Sequence, residues 1–295
     1  MSKLAFAIAR CKWAIEIHAG LAFYPKAHML LTGKRTAWND EGEEPTKAPF
    51  AFVETPGGRF SIDQILEDQV KLPYGSIGVV DFSGPIMKES FCGIAGSMEM
   101  AEQIKLLDSL PELSAILSTH DSPGGMVDGT PTAADAIRNC SKRTISLVND
   151  GMSCSADYWI ASASDEMYAT HNTCEIGSIG VYATLSDYSK YYEDLGLKVE
   201  DIYAPQSTEK NEGFKDWKAG NAETFRQRLG LTATEFISVV EDHRKGKLNL
   251  SAGDPFKGRV YGARQATEIG LIDGIKKYDA VMHDLLNQTQ TLKFI

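Results

Sequence analysis

TISLVNDGMSCSADYWIASASD, residues 144–165, changes character in its middle, and that change decides the fold. TISLVND (144–150) is a short apolar run, which reads as a buried strand. SADYWIASAS (155–164) is Ala-rich and aromatic, and reads as a helix. The same alternation extends in both directions. Upstream, SIGVVDFSGPI (76–86) and SAILSTH (114–120) are strand-like. SMEMAEQIKLLDSL (97–110) has helical periodicity, and MVDGTPTAADAIRN (126–139) contains a helix. Downstream come the short strand EMYATH (166–171), the glycine-rich EIGSIGVYA, the helix SDYSKYYEDLG and the strand KVEDIYA (198–204). From about residue 221 the chain reads as mainly helical. Strands alternating with helices require crossover connections, hence an α/β fold with a mainly parallel sheet and a helical C-terminal part.

The 295 residues suffice for a sizeable core, and 43% hydrophobic with 24% charged residues is an ordinary globular balance. A formal charge of −10 argues against nucleic acid or an anionic membrane as the main partner. Five cysteines, odd in number and without a C-x-x-C pair, suggest neither a disulfide framework nor a zinc site. Neither a metal nor an organic cofactor is implied. In MSKLAFAIARCKWAIEIHAGLAFYP, Arg10, Lys12 and Glu16 interrupt every apolar run, so neither a signal peptide nor a membrane span fits. The expectation is a soluble, cytoplasmic protein. Residues 1–70 read as an N-terminal extension, with an apolar helical stretch and then the flexible connector GKRTAWNDEGEEPTKAP.

Three stretches carry candidate chemistry. DSPGG (Asp121 to Gly125) lies between a strand and a helix, where paired glycines allow a sharp turn with exposed N–H groups. Such groups stabilise a developing oxyanion, although a plain connecting turn looks the same. Ser155 stands at a helix mouth. There its hydroxyl either caps backbone N–H groups or acts as a nucleophile at the positive end of the helix dipole, with Ser153 as competitor for either role. GSIGV (Gly177 to Val181) is followed by KNEG (Lys210 to Gly213). A serine nucleophile needs a base. Of six histidines only His120 and His171 lie near these loops, both at strand ends. A lysine serves instead where burial leaves its amine neutral, and Ser178 offers a hydroxyl to hold that amine in line. A solvated surface lysine is the alternative.

Taken in order, DSPGG, SCSADYWIASASDEMYA, EIGSIGV, a loop lysine and GRVYGARQATEIGLID resemble peptidase family S49 over roughly residues 75–280. The family includes signal peptide peptidase A and phage head-associated proteases. The resemblance implies a ClpP/crotonase-like fold and a Ser–Lys dyad, with the S49 peptidase domain spanning residues 71–290. It implies Ser155 as nucleophile, Ser178 as the residue that positions the lysine amine, and Gly124, with Gly125 beside it, as oxyanion glycine. Lys210 is the best match to the base, with Lys215 and Lys218 as rivals. Two departures stand out: Ala156 and Asp157 replace the family's glycines after the serine, and the lysine loop lacks its usual preceding lysine and glycine. An inward-pointing Asp157 would favour a charged lysine and weaken the base.

The implied function is a serine endopeptidase acting on a protein or peptide. The family's habit further implies a homo-oligomer with sites shared between protomers. The N-terminal region resembles the phage or prophage head-protease branch, whose substrates are scaffold or capsid precursors. Competing readings are a crotonase-like acyl-CoA enzyme, a ClpP-like Ser–His protease, and a catalytically weak assembly protein that keeps the fold.

Overall fold

The structure, a computed structural model, describes residues 13–15, 50–67, 69–90, 94–185 and 187–291. In chain order the first elements are β1 (Trp13–Ile15), β2 (Ala51–Thr55), β3 (Gly58–Ser61), α1 (Ile62–Leu66), β4 (Ser76–Ser83) and α2 (Ser97–Ser109). Then follow β5 (Leu113–Ser122), β6 (Gly124–Met126), α3 (Thr130–Arg138), β7 (Arg143–Cys154), α4 (Ala156–Ala161), β8 (Glu166–Ala169) and β9 (Glu175–Gly177). The chain continues through α5 (Ser189–Asp194), α6 (Glu212–Lys218), α7 (Glu223–His243), β10 (Val260–Gly262), α8 (Ala263–Ile269), β11 (Gly274–Ile275) and α9 (Tyr278–Thr291).

Among the described residues, nine strands form the main sheet in the order β10-β9-β7-β5-β4-β2-β3, with β8 pairing to β7 and β11 to β8. The pairings β4–β5, β5–β7, β7–β8, β7–β9 and β8–β11 are parallel, as the strand–helix alternation requires. The antiparallel pairings lie toward the margins, in β2–β4, β2–β3 and β9–β10. The fold is therefore α/β with a mainly parallel sheet and C-terminal helices, as expected. Residues 51–66, within the 1–70 stretch, contribute β2, β3 and α1 to this body. Ser61 caps α1 with a reciprocal box: its hydroxyl accepts from the Gln64 N–H, and the Gln64 side chain accepts from the Ser61 N–H.

Central strands are buried on both faces, and β4, β5 and β7 show it in consecutive buried positions at 76–80, 115–120 and 144–148. One face packs on α2, α3 and α4, and the other is covered by Val281, Met282 and Leu285 of α9. α7 docks on α4 through Trp159 stacked on Phe236, with ring centroids 4.7 Å apart. Burying each such ring stabilises by roughly 2–3 kcal/mol. The Tyr158 hydroxyl, whose pKa burial raises, donates to the Leu271 carbonyl at 2.9 Å. Arg244, fully buried, donates from Nε to Gly270 O at 3.0 Å and forms a two-pronged pair with Asp273, at 2.9 and 3.2 Å. Burial alone would raise the Asp273 pKa, yet these partners hold it below the usual range. Among the described residues no helix is long and apolar enough to cross a membrane.

Two sequence expectations need correction. The N-terminal helical stretch is a strand where it is described, because Trp13–Ile15 pairs antiparallel with β6. Three residues gain more from main-chain bonds to a sheet edge than from a helix too short to nucleate. The connector at 33–49 lies outside the described residues. KVEDIYA (198–204) forms no strand: the sheet edge beside β9 is taken by β10, and Val199 and Ile202 stay 66% and 92% exposed.

His243 at the end of α7 titrates at about 4, lowered first by burial and then by the Arg138 charge, while its Nδ1 lies 3.1 Å from Ser162 Oγ. A depressed histidine binds fewer protons in the folded than in the unfolded state between about pH 4 and 6.5. Stability is therefore fully present above pH 6.5 and declines as pH falls toward 4. In thermal melts, His243→Gln should flatten this acid limb and leave the neutral plateau within about 1 kcal/mol. An unchanged acid limb would refute the assignment.

Candidate active site

β7 ends at Cys154 and α4 starts at Ala156, so Ser155 alone makes the corner between strand and helix. Its backbone sits at φ 57°, ψ −120°, a region L-residues avoid at a cost of about 1–3 kcal/mol unless neighbours enforce it. They do. Ser155 N–H donates to Gly177 O at 2.7 Å, and Ser155 O accepts from Trp159 N–H at 3.0 Å. The residue is 1% exposed, and its Oγ lies 3.4 Å from Gly180 O. It makes no side-chain cap bond, so capping is not the use of this hydroxyl here. α4 has only six residues, which leaves little dipole for the site to draw on.

Ser153, the competitor, is buried inside β7 opposite Ile176, and its Oγ has no hydrogen-bond partner among the described residues. An orphaned buried hydroxyl is a liability. Ser153→Ala should leave stability unchanged or raise it by about 1 kcal/mol, with peptide hydrolysis intact. A hydrolytic loss on the scale of a missing nucleophile would reverse the choice between the two serines.

The glycine turn reaches the same corner from β5. Pairing of β5 with β7 slips in register between His120 and Ser122, which splays the strands at their C-terminal ends. There α/β sheets place their ligand crevices. The Asp121 carboxylate bridges the gap by accepting from Met152 N–H at 3.3 Å. Gly124 adopts φ 91° and donates its N–H to Ser122 Oγ at 3.2 Å. Gly125 is glycine for want of space, since a Cβ there would lie 2.0 Å from Ile86 O. Ile86 takes the Gly124 carbonyl and the Met126 N–H, so the Gly125 N–H lies on the other edge of β6. α4 packs against β6, bringing Ser155 and the glycines into one corner.

GSIG completes it. Gly177 and Gly180 both direct carbonyls at Ser155, so Ser178 lies between two groups that touch it. Ser178 is half-buried, holds φ 53°, and donates its N–H to Arg259 O at 2.8 Å.

Lys210 is elsewhere. It is exposed, at a shallow pocket with Glu200, Asp201, Tyr203 and Asn211, and has no described contact with Ser155 of the same chain. Its rivals are engaged: Lys215 Nζ sits 3.7 Å over the Tyr203 ring, and Lys218 Nζ reaches Ser189 Oγ at 2.7 Å and Asp187 at 3.6 Å. One chain thus brings together Ser155, Ser178, Gly124 and Gly125, and leaves the lysine outside.

Sequence reading missed the partnership of His120 and Asp157. Asp157 is fully buried on α4, and both carboxylate oxygens lie 3.0–3.1 Å from His120 Nδ1. His120 Nε2 reaches Ser118 Oγ at 3.0 Å and Ser146 Oγ at 3.2 Å, and the ring stacks on Phe82. Asp157 is therefore engaged inside the sheet–helix layer. An Asp at the second position of an Ala-rich helix, with a histidine ending the neighbouring strand, was the available signal. His171 is half-exposed and pairs with Asp150 at 2.9 Å.

The family model for peptidase family S49 matches residues 138–292, more than half of the chain. The chain is 28% identical over 221 residues to capsid assembly protease C of Escherichia phage lambda, covering 72% of this chain and 49% of that protein. It is 22% identical over 221 residues to Protease 4 of Haemophilus influenzae, covering 72% and 35%. The chain thus spans half or less of the length of these curated relatives. Among solved structures, a mutant of the 1510-N membrane-bound stomatin-specific protease aligns with a TM-score of 0.46 at 15% identity, over 73% of this chain and 86% of that one.

Proposed function

Because the chain belongs to peptidase family S49, we propose that it is a serine endopeptidase with a Ser155–Lys210 dyad, cleaving a scaffold or capsid-precursor protein in the cytoplasm. The observation that carries this reading is the enforced left-handed corner at Ser155, which sets a hydroxyl without a capping duty beside a glycine turn. Neutral Lys210 takes the Ser155 Oγ proton as that oxygen attacks the scissile carbonyl. The N–H groups of Gly125 and Gly124 receive the oxyanion, with Gly124 exchanging Ser122 Oγ for it. Lysine then gives its proton to the leaving amine, and water hydrolyses the acyl-enzyme. Ser178 holds the amine in line. The likeness to capsid assembly protease C supports the substrate class.

Exposure of Lys210 in a single chain supports a shared site, in which a second copy buries the amine next to Ser155. Tyr191, Tyr192, Leu195, Leu197, Val199 and Ile202 are all exposed on the segment that precedes it, and a homo-oligomer gives them cover. Prolonged incubation with a serine-reactive fluorophosphonate, followed by intact mass and peptide mapping, should find one adduct on Ser155. An adduct on another residue, or none after exhaustive reaction, overturns the reading.

A further inference from the structure

β6 has two edges. Ile86 fills one, donating its N–H to Gly124 O at 2.9 Å and accepting from Met126 N–H at 2.8 Å. β1 lies antiparallel along the other, with Trp13 opposite Met126, Ala14 opposite Gly125 and Ile15 opposite Gly124. In an antiparallel ladder, residue pairs that exchange N–H···O bonds alternate with pairs that do not. The Gly124 carbonyl and Met126 N–H are committed to Ile86, so the exchanging pair is Ala14 with Gly125. The Ala14 carbonyl therefore meets the Gly125 N–H. That is where a peptide carbonyl would sit if it came to be attacked.

We propose that Trp13–Ile15 is a built-in, substrate-like strand that occludes the active site, and that an extended polypeptide must displace it to be cut. Its consequence for catalysis rests on the peptidase reading above; the pairing does not. Strand addition supplies the affinity, because main-chain bonds hold an extended segment whatever its sequence. A tethered segment meets its own site at millimolar effective concentration, so even a weak strand competes well.

Proline at position 14 removes the N–H that the exchanging pair needs. The test therefore compares the full-length chain with full-length Ala14→Pro, both also carrying Ser155→Ala for hydrogen exchange. Amide exchange of β6 should quicken at least about tenfold in Ala14→Pro; unchanged exchange overturns the proposal whatever Ser155 does. In chains with Ser155 intact, Ala14→Pro should speed fluorophosphonate labelling about tenfold, and equal labelling rates at a reacting Ser155 overturn occlusion. If Ser155 labels in neither chain, the nucleophile assignment fails, and binding of a fluorescent CKWAIEIH peptide decides the occlusion. Binding about tenfold tighter to Ala14→Pro sustains it, and equal affinity sinks it.

Discussion

Ser155→Ala is expected to reduce peptide hydrolysis by at least about 10³-fold while the melting temperature moves by only about a degree or two. Alanine keeps the Cβ, so the unusual backbone at this corner is neither relieved nor worsened, and the hydroxyl gives up only its 3.4 Å approach to Gly180 O. Lys210→Ala should cost about 10²–10⁴-fold through loss of the base, again without unfolding, because the side chain is exposed. Mixing the two inactive variants distinguishes a shared from a private site. Random assembly would join an intact serine to an intact lysine in one site of four, restoring roughly a quarter of the activity. No recovery after subunit exchange would assign the lysine to its own chain's serine. Near-normal turnover by Lys210→Ala alone would remove it from the mechanism.

The second large effect is structural. Asp157→Ala should lower unfolding free energy by about 3 kcal/mol, read as a shift in urea midpoint at constant slope. The substitution strips a fully buried imidazole of its partner and leaves a void on α4, directly before the buried Tyr158 and Trp159. Asp157→Asn keeps an acceptor for His120 Nδ1 and should lose distinctly less. Hydrolysis by the alanine variant should fall as well, since α4 begins directly after Ser155. A loss within about 0.5 kcal/mol would mean that the pair is dispensable.

The parallel sheet was legible because β4, β5 and β7 carry short apolar clusters without the strict alternation of a half-exposed strand. The corner was legible because DSPGG and GSIGV flank Ser155 with residues that tolerate left-handed backbone. What escaped depends on distant partners. Val199 and Ile202 read as strand residues, yet a strand exists only where an edge is vacant, and β10 had filled it. Trp13–Ile15 lies in a stretch rich in helix formers, and only the unfilled side of β6 selects the extended form. His120 and Asp157 are 37 residues apart, and the local signal, an Asp opening an Ala-rich helix and a His closing a strand, does not by itself say that the two meet.

β7 feeds two neighbours in succession: its first half pairs with β8 and its last three residues with β9. Such branching works as a hinge line. The flap beyond it, from β9 through GSIG, is fastened to β7 by a short ladder and by the Ser155 N–H to Gly177 O bond, and on its other side to β10 and Arg259. It should breathe at lower energy than the trunk of the sheet. The long arm carrying Lys210 grows from this flap, so a pull on that arm would reach the backbone of Ser155 through the Gly177 carbonyl.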